Sequence, residues 1–309
     1  MINNKNKWIK TGKFLSPVKN HSWLSTFTGP SYALPIPREN YFDLYVTGRD
    51  TLNRSMIGKV RIEINNEKII VHSIENDPIF TFGERGCFDE NGVSYPFIIP
   101  YENKLYMYYV GWMPTTLTPF QNRTGLAISD DGGKNFIRAS RAPILPLTNA
   151  EPFCTGSLAV LKENDIWKMW YTVWKKWGND ENDHKHYYLI KYATSNDGIN
   201  WDRDEIDRIK FGNKNEYAIG KPSVIKYKGL YHMWYVYRGE QYKIGYAYSL
   251  DGKDWERRDD LVGINTSING WDSEAICYPH IVELKNRFIM FYCGNNYGRE
   301  GLGSATLLK

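Results

Sequence analysis

The sequence YKIGYAYSLDGKDW, residues 242–255, decides the fold, because near copies of it occur twice earlier in the chain. YLIKYATSNDGINW occupies residues 188–201, and RTGLAISDDGGKNF occupies residues 123–136. In each copy, alternating aromatic and aliphatic positions predict a half-buried strand, and the Ser-x-Asp-Gly sequence predicts the turn that ends it. A segment that recurs in this way is part of a structural repeat.

A larger repeating unit surrounds each copy and consists of a strand, a short turn and an aromatic-rich strand. Five such pairs of strands start at Gly29, Tyr95, Thr155, Lys221 and Tyr278. Five units at intervals of roughly 55 to 66 residues, each of three or four antiparallel strands, predict an all-β, five-bladed β-propeller in one domain. The predicted blades cover residues 16–74, 87–145, 151–210, 216–262 and 272–309, the last completed by residues 6–15.

The N-terminal segment is predicted to supply the strand that the last unit lacks. The chain stops at GLGSATLLK, after only three strands of that unit. Residues 8–15, WIKTGKFL, resemble the strands that follow the turns and begin Trp201-Asp-Arg, Trp255-Glu-Arg and Phe136-Ile-Arg. An unpaired edge strand needs a cover, and we therefore expect residues 8–15 to close the ring.

Composition supports an all-β protein and excludes several partners. Aromatic residues make up 15 % of the 309 residues, whereas long helix-forming runs are missing. The net charge of +4 is mild and scattered, which indicates neither a nucleic-acid nor a membrane partner. The N-terminus has no apolar segment typical of a signal peptide, so we expect a soluble, cytoplasmic protein. The oligomeric state stays open.

Cofactors and metals are not expected from the sequence. The four cysteines, Cys87, Cys154, Cys277 and Cys293, show no spacing typical of zinc ligands and are too few for a disulfide framework. His184 and His186 have the alternate spacing of metal ligands on a strand but no third ligand nearby. We therefore predict reduced cysteines, no metal and no cofactor.

The predicted topology separates turns from candidate sites. Strand 1 of each blade starts at the top face of the ring, so the Asp-Gly turns that join strands 3 and 4 lie at the bottom. Asp131, Asp197 and Asp251 are therefore interpreted as turn-forming residues. The loops between strands 2 and 3 lie on top, where Trp, Arg and Asn side chains suit a polyhydroxylated ligand.

Acidic residues precede strand 1 by about five to seven positions in four of the five units. These acids are Asp89 or Glu90, Glu151, Glu216 and Glu274. Fivefold geometry would gather them around one channel mouth, where crowding raises some pKa values and leaves one carboxyl as acid and another ionised. Cleavage of a glycosidic bond requires such a pair. The alternative is that each acid is solvated or caps a turn.

The repeats resemble the five-bladed propeller glycoside hydrolases of families 32, 43 and 68 and the related family 130 mannoside phosphorylases. The resemblance is carried by Ile-Gly-Tyr-Ala-x-Ser-x-Asp-Gly-x-x-Trp at 244–255, Ala-Ile-Ser-Asp-Asp-Gly at 127–132, Pro-Ile-Leu-Pro at 143–146 and the final Met-Phe-Tyr-Cys-Gly-Asn. It implies a propeller that acts at a glycosidic bond. The acids that families 32 and 43 place beside the inner strands are replaced here by Gly29, Tyr95, Gly156, Lys221 and Tyr278.

The sequence therefore predicts a carbohydrate-active enzyme that cleaves a glycosidic bond. Glu274, followed by Ile276 and Cys277 that would desolvate it, is the predicted general acid, with Asp89 or Glu151 as its partner. The predicted substrate-binding residues are Arg49, Asp50, Trp112, Trp174, Glu216, Lys221, Tyr278, His280 and Arg299. Glycosyl transfer, phosphorolysis in a basic pocket formed by Arg49, Arg54, Lys221 and Arg299, and non-catalytic glycan binding are the alternatives.

Overall fold

The computed structural model describes residues 7–178, 183 and 185–309, and strands dominate these residues. The strands are β1 (Ile9–Leu15), β2 (Phe27–Pro35), β3 (Tyr41–Arg49), β4 (Ser55–Asn65), β5 (Lys68–Ile74), β6 (Gly92–Tyr101), β7 (Lys104–Met113), β8 (Gln121–Ser129), β9 (Ile137–Arg138), β10 (Thr155–Glu163), β11 (Ile166–Trp177), β12 (His186–Ser195), β13 (Asp202–Arg203), β14 (Ala218–Tyr227), β15 (Leu230–Arg238), β16 (Tyr242–Ser249), β17 (Glu256–Arg257), β18 (Cys277–Glu283), β19 (Arg287–Cys293) and β20 (Leu302–Leu308). Short 3₁₀ turns at Asp259–Leu261 and Asn295–Gly298 are the helical elements of the described chain.

The strands pair in groups of four, which we call units 1 to 5; single parallel pairings, Ser55 with Gly92 and Tyr188 with Ala218, join units 1 and 2 and units 3 and 4. Unit 1 contains β2–β5, unit 2 contains β6–β9, unit 3 contains β10–β13, unit 4 contains β14–β17, and unit 5 contains β18–β20 with β1. Within each unit, every neighbouring pair is antiparallel. The all-β class predicted from the sequence is confirmed.

The turns that define the sequence repeat have the predicted structural role. Asp251 accepts hydrogen bonds from the Lys253 and Asp254 backbone N–H groups at 2.8 and 2.9 Å, and from Ser249 Oγ at 2.9 Å. Asp131 and Asp197 cap their own turns in the same way. The bond from the Asn135 N–H is the largest cause that lowers the pKa of Asp131, which keeps this carboxylate ionised as an acceptor.

Each first strand contains an irregularity near the residue that precedes its Pro or Ser. The register shifts between Thr28 and Ser31, Ser94 and Phe97, Thr155 and Leu158, Gly220 and Ser223, and Cys277 and His280. At three of these bulges a residue with a side chain has the left-handed backbone conformation: Tyr95 with φ 54°, Lys221 with φ 49° and Tyr278 with φ 59°. A bulge redirects a side chain and is frequent beside functional sites.

The hydrophobic core lies between the sheets and links successive units. One cluster joins units 1 and 2, a second joins units 2, 3 and 4, and a third joins units 4 and 5. A fourth cluster includes Leu44 of unit 1 and Phe291 of unit 5. The middle strands, such as β3 and β19, are buried on both faces because each sheet is packed between two others.

The N-terminal strand β1 pairs antiparallel with β20, from Ile9 opposite Thr306 to Leu15 opposite Leu302. Trp8 and Leu15 are buried, and the Trp8 ring contacts the Trp234 ring edge-on at 5.9 Å. The segment therefore pairs along the edge strand β20 of unit 5.

None of the described residues forms a helix with the length and apolar character that crossing a bilayer requires.

Removal of residues 1–15 should destabilise the whole protein. The deletion exposes the edge of β20 and loses the burial of Trp8 and Leu15, each worth about 1.5–3 kcal/mol. We expect a cooperative fall in Tm of at least about 5 °C in calorimetry. Leu15→Ala should show part of this loss, whereas Ile9→Ala, on the same strand but 50 % exposed, should not. An unchanged Tm of the truncated chain would contradict the structural role of β1.

Candidate functional site

A cavity of about 580 Å³ is lined by residues from all five units. The lining residues are Phe27, Pro30, Thr47, Arg49 and Asn53 of unit 1; Ser94, Tyr95, Trp112, Pro119, Phe120 and Asn122 of unit 2; Ser157, Thr172, Trp174, His186 and Tyr188 of unit 3; Lys221, Val236, Arg238 and Tyr242 of unit 4; and Tyr278, Asn296, Tyr297 and Arg299 of unit 5. They come from the first strands, the ends of the middle strands and the loops that follow them. The volume is within the range of small-molecule sites.

The bulges in the first strands place three side chains in this cavity. Tyr95, Lys221 and Tyr278 all line it, and all three have left-handed backbones. Hydroxyl groups of preceding units hold two of them, because Thr47 Oγ1 accepts the Tyr95 N–H at 3.0 Å and Thr172 Oγ1 accepts the Lys221 N–H at 3.2 Å. Such conformations cost about 1–3 kcal/mol each and persist at sites where the surrounding structure imposes them.

One wall of the cavity is aromatic. Trp174 lies over His186 with ring centroids 6.0 Å apart and nearly parallel planes, and His186 stacks on Tyr188 at 5.5 Å. Phe120 contacts Trp174 and His186 edge-on at 6.3 and 5.6 Å. We call Phe120, Trp174, His186 and Tyr188 the aromatic wall. Flat, rigid faces of this kind stack on the apolar face of a sugar ring.

Four cationic side chains, Arg49, Lys221, Arg238 and Arg299, also line the cavity, and we call them the cation cluster. The Arg49 guanidinium lies over the rings of Phe27 and Trp112, at 4.9 and 5.5 Å from their centroids. Arg238 lies over Tyr242 at 5.0 Å. Burial is the largest cause that lowers the pKa of Arg49, and the positive charge of Arg299 lowers it further. The cavity is therefore both aromatic and positively charged.

Lys221 is the most enclosed of these cations. Its exposure is 5 %, and the hydrogen-bond acceptor of its ammonium group is the Pro279 carbonyl oxygen, 3.4 Å from Nζ. Burial lowers the pKa of Lys221 from 10.5 to about 8, because the low-dielectric surroundings disfavour the charged form. At neutral pH the group is therefore mostly a charged ammonium with little solvation, and its proton is easily lost above pH 8.

No Asp or Glu side chain of the described residues lines the cavity. Three of the acids that the sequence predicts at the channel mouth bind basic side chains of their own units. Asp89 pairs with Arg138 at 2.7 Å, Glu151 pairs with Arg203 at 2.8 Å, and Glu216 pairs with Arg257 at 2.7 Å. Each base lies on the short fourth strand of its unit, so the pair joins the connecting loop to the outer edge of the sheet.

Tyrosines of the middle strands complete these clusters; in unit 4, Tyr235 OH donates at 2.6 Å to Asp259, which shares Arg257 with Glu216. Tyr109 OH donates to Asp89 at 3.0 Å, and Tyr171 OH donates to Glu151 at 2.7 Å. Burial, together with the adjacent carboxylate of Glu151, raises the pKa of Tyr171 and keeps its hydroxyl a donor. We call this arrangement of acid, tyrosine and base the clamp.

Unit 5 contains a fourth clamp that includes the N-terminal strand. Asp272 binds Lys10 of β1 at 2.6 Å and accepts a hydrogen bond from Tyr292 OH at 2.9 Å. Unit 1 has no acid at this position and has Val46 where units 2 and 3 have their clamp tyrosines. There, the buried Trp23 fills the space: a Cβ on Gly58 would lie 2.2 Å from its ring. Acid and tyrosine are thus present or absent together, which supports a structural role.

The structure corrects the expectation that the acids converge on one channel mouth. Asp89, Glu151 and Glu216 lie in clamps, so their carboxylates are already neutralised by bases. Glu274 is exposed; Ile276 and Cys277 are buried but do not desolvate it. The catalytic roles of Glu274, Asp89 and Glu151 stay predictions, and no contact with the cavity supports them.

Two further predicted substrate-binding residues also lie outside the cavity lining. Asp50 caps its own loop, accepting hydrogen bonds from the Leu52 N–H and from Arg54 Nε at 2.9 and 2.8 Å. His280 is buried, with its ring 4.4 Å from that of Tyr32, and burial is the largest cause that lowers its pKa to about 3. It is therefore a neutral core residue.

The remaining predicted binding residues, Arg49, Trp112, Trp174, Lys221, Tyr278 and Arg299, all line the cavity. Sequence reasoning did not single out Tyr95, Phe120, Arg238, Asn296 or Tyr297. Position in the sequence could have identified them, because Tyr95 directly precedes Pro96 and the other four lie in or beside the loops that follow the middle strands. His184 lies outside the described residues, and within those residues no group of three or more His, Cys, Asp and Glu is arranged to hold a metal.

Solved structures with the same fold are glycoside hydrolases and a related phosphorylase family. A glycosyl hydrolase from Bacteroides ovatus matches with a TM-score of 0.68 and 15 % identity over 99 % of this chain and 91 % of its own. A second structure is described as "The GH130 family of mannoside phosphorylases contains glycoside hydrolases that target beta-1,2 mannosidic linkages in Candida mannan". It matches with a TM-score of 0.71 and 14 % identity over 97 % of this chain and 93 % of its own. A thermostable family-43 glycoside hydrolase matches with a TM-score of 0.61 and 18 % identity over 94 % of this chain and 90 % of its own. The chain has the fold of this group.

Sequence comparison defines the family more narrowly. Uncharacterized protein MT1551 of Mycobacterium tuberculosis (strain CDC 1551 / Oshkosh) is 34 % identical over 304 residues, which cover 97 % of this chain and 99 % of the relative. Uncharacterized protein Rv1502 of Mycobacterium tuberculosis (strain ATCC 25618 / H37Rv) has the same identity and coverage. No family model matches the chain. The chain belongs to the family of these two mycobacterial proteins.

The clamp predicts effects of very different size for the same chemical change at two acids. Glu151→Gln removes a buried charge from Lys191 and Arg203 and should lower the free energy of unfolding by about 3–5 kcal/mol. Glu274→Gln, at an exposed position, should change it by less than about 0.5 kcal/mol. Urea denaturation measures both. Equal effects of the two substitutions would contradict the structural assignment.

Lys221 predicts a dependence of stability on pH. Below pH 8 the lysine is protonated in both states, and burial of the charge destabilises the folded state. Between pH 8 and 10.5 the unfolded chain binds more protons than the folded one, so stability rises with pH. Relative to that of Lys221→Met, the free energy of unfolding of the wild type should rise by about 3 kcal/mol across this interval. Lys228→Met, at an exposed turn, is the control and should show no such trend.

Proposed function

We propose that this protein binds a carbohydrate in the cavity and acts at its glycosidic bond. The observation that carries the proposal is the pairing of the aromatic wall with forked donors and amides in one cavity of about 580 Å³. Trp174 and Phe120 offer flat faces for sugar rings, while Asn53, Asn122 and Asn296 offer donors and acceptors for hydroxyls. The fold shared with glycoside hydrolases supports the same class of ligand, although a fold alone does not define a reaction.

The site depends on a closed ring, and we propose that units 1 to 5 are the blades of one five-bladed propeller domain. The core clusters that link each unit to the next, and unit 5 to unit 1, support this ring. The pairing of β1 with β20 supports closure by the N-terminal strand. In such a ring the five first strands surround one channel, which accounts for a cavity lined by every unit.

Within this class, the cavity favours glycosyl transfer or phosphorolysis over hydrolysis by two carboxylates. A carboxylate mechanism requires two acids on either side of the scissile bond, roughly 5 to 9.5 Å apart. The described lining provides cations instead, which suit a substrate or acceptor that carries phosphate. The carboxylate mechanism predicted from the sequence depends on Glu274, Asp89 and Glu151, whose positions do not support it.

A non-catalytic glycan-binding protein is the second candidate. The observation that favours it is the lack of Asp and Glu side chains among the described lining residues. A binding protein needs aromatic platforms and amides but no pair of carboxylates. Turnover of any bound glycan, measured by release of a reducing end or a sugar phosphate, separates the two candidates.

The proposal is tested by carbohydrate binding and by one matched pair of variants. Trp174→Phe shortens the platform that lines the cavity and should weaken glycan binding about 5-fold or more in calorimetric titration, consistent with the energy of aromatic contacts. Trp255→Phe changes an indole that contacts Trp170 and the Gly252 carbonyl and is not part of the lining, and should leave binding unchanged. Tm values of both variants control for folding. The proposal fails if no glycan binds or if both variants bind equally.

A further inference from the structure

We propose that the carbohydrate bound in the cavity carries its own acidic group, a carboxylate or a phosphate, which is held by Arg49, Lys221 and Arg299. This inference rests on the proposed function and defines its substrate class. It follows from the enclosed charges of Arg49 and Lys221, with which no acidic side chain of the described residues pairs, and from the exposed Arg299, whose positive charge acts on Arg49.

The cation cluster lacks acidic partners within the described part of the chain. Among those residues, Arg49, Lys221, Arg238 and Arg299 form no ion pair with a carboxylate. Arg54, at the other end of the Arg49 loop, does pair with Asp50, at 2.8 Å. Within this one loop, the arginine outside the cavity lining has a carboxylate partner, whereas the arginine in the lining has none.

Burial makes the unpaired charges costly. Lys221 is nearly inaccessible, and the Arg49 Nε atom is buried without a hydrogen-bond partner in the described structure. An ionised group withdrawn from water is unfavourable unless it is paired, and neighbouring like charges add to the cost. An anion placed between these groups would relieve both effects.

The geometry favours an anion attached to a sugar over a free oxyanion. The cavity is much larger than one oxyanion, and its aromatic wall offers a second surface of different chemistry. Tyr95 and Tyr278 lie beside Arg49, so the acidic group would be surrounded by phenol as well as guanidinium donors. An arginine guanidinium can donate two parallel hydrogen bonds to the oxygens of one carboxylate or phosphate, whereas the lysine ammonium contributes a compact positive charge.

The test uses the full-length protein and a glycan array that contains neutral glycans and glycans with uronate, ulosonate or phosphate groups. Titration calorimetry of the best ligands should show acidic glycans bound at least 10-fold more tightly than neutral counterparts of the same size. Arg49→Gln, Lys221→Met and Arg299→Gln should each reduce this preference at least 10-fold. Arg258→Gln, which removes an arginine that pairs with Asp260 outside the cavity lining, should retain it.

The outcomes separate this inference from the proposed function. Binding of neutral glycans that depends on Trp174 and is unaffected by the three cation variants would overturn the acidic-group proposal and leave the proposed function standing. Inorganic phosphate bound as tightly as sugar phosphates would also overturn it, because the anion site would then serve a free ion. A lack of binding to every glycan would overturn both. Circular dichroism and Tm of each variant confirm folding, and Lys221→Arg, which keeps the charge, should restore part of the preference.

Discussion

The clamp between an acid, a tyrosine and a base is the interaction on which the arrangement of charges in this protein depends. Asp89, Glu151 and Asp272 each precede an inner strand, and each binds a base on the outermost strand of the same unit. The clamps therefore use the carboxylates that precede the first strands to fasten the connecting loops to the sheet edges. What remains at the cavity is positive and aromatic, because the acids are bound elsewhere.

The clamp also explains why the N-terminal strand belongs to the last unit. Lys10 of β1 is the base that Asp272 binds, and its position in β1 matches those of Arg138, Arg203 and Arg257 in the other fourth strands. Hydrogen bonds between β1 and β20 and a buried ion pair thus act together. Removing Lys10 would leave the buried Asp272 uncompensated, so the pairing of β1 with β20 is stabilised by electrostatics as well as by hydrogen bonds.

Sequence reasoning predicted the all-β fold, the strand pairs and the turn role of Asp131, Asp197 and Asp251, because these depend on local periodicity and turn chemistry. The role of the acids depends on partners about 41 to 52 residues away, which periodicity does not show. The signal was nevertheless present: the third residue of Trp201-Asp-Arg and Trp255-Glu-Arg is the clamp base. Arg49, Trp112, Trp174, Lys221 and Tyr278 were predicted from loop composition and strand starts, whereas Arg238 and Tyr297 lie in loops of the predicted candidate face but were not chosen as binding residues.

The ionisation of Lys221 tests the central claim, namely that the cavity holds unpaired cations for an acidic carbohydrate. Nuclear magnetic resonance of the Lys221 Cε and Nζ groups, assigned with Lys221→Met, reports the pKa directly, with and without a saturating acidic glycan. We predict a pKa near 8 in the free protein, because burial without an acidic partner lowers it, and a clear rise when the acidic glycan binds. A value near 10.5 in the free protein, or no change on binding, would contradict the claim.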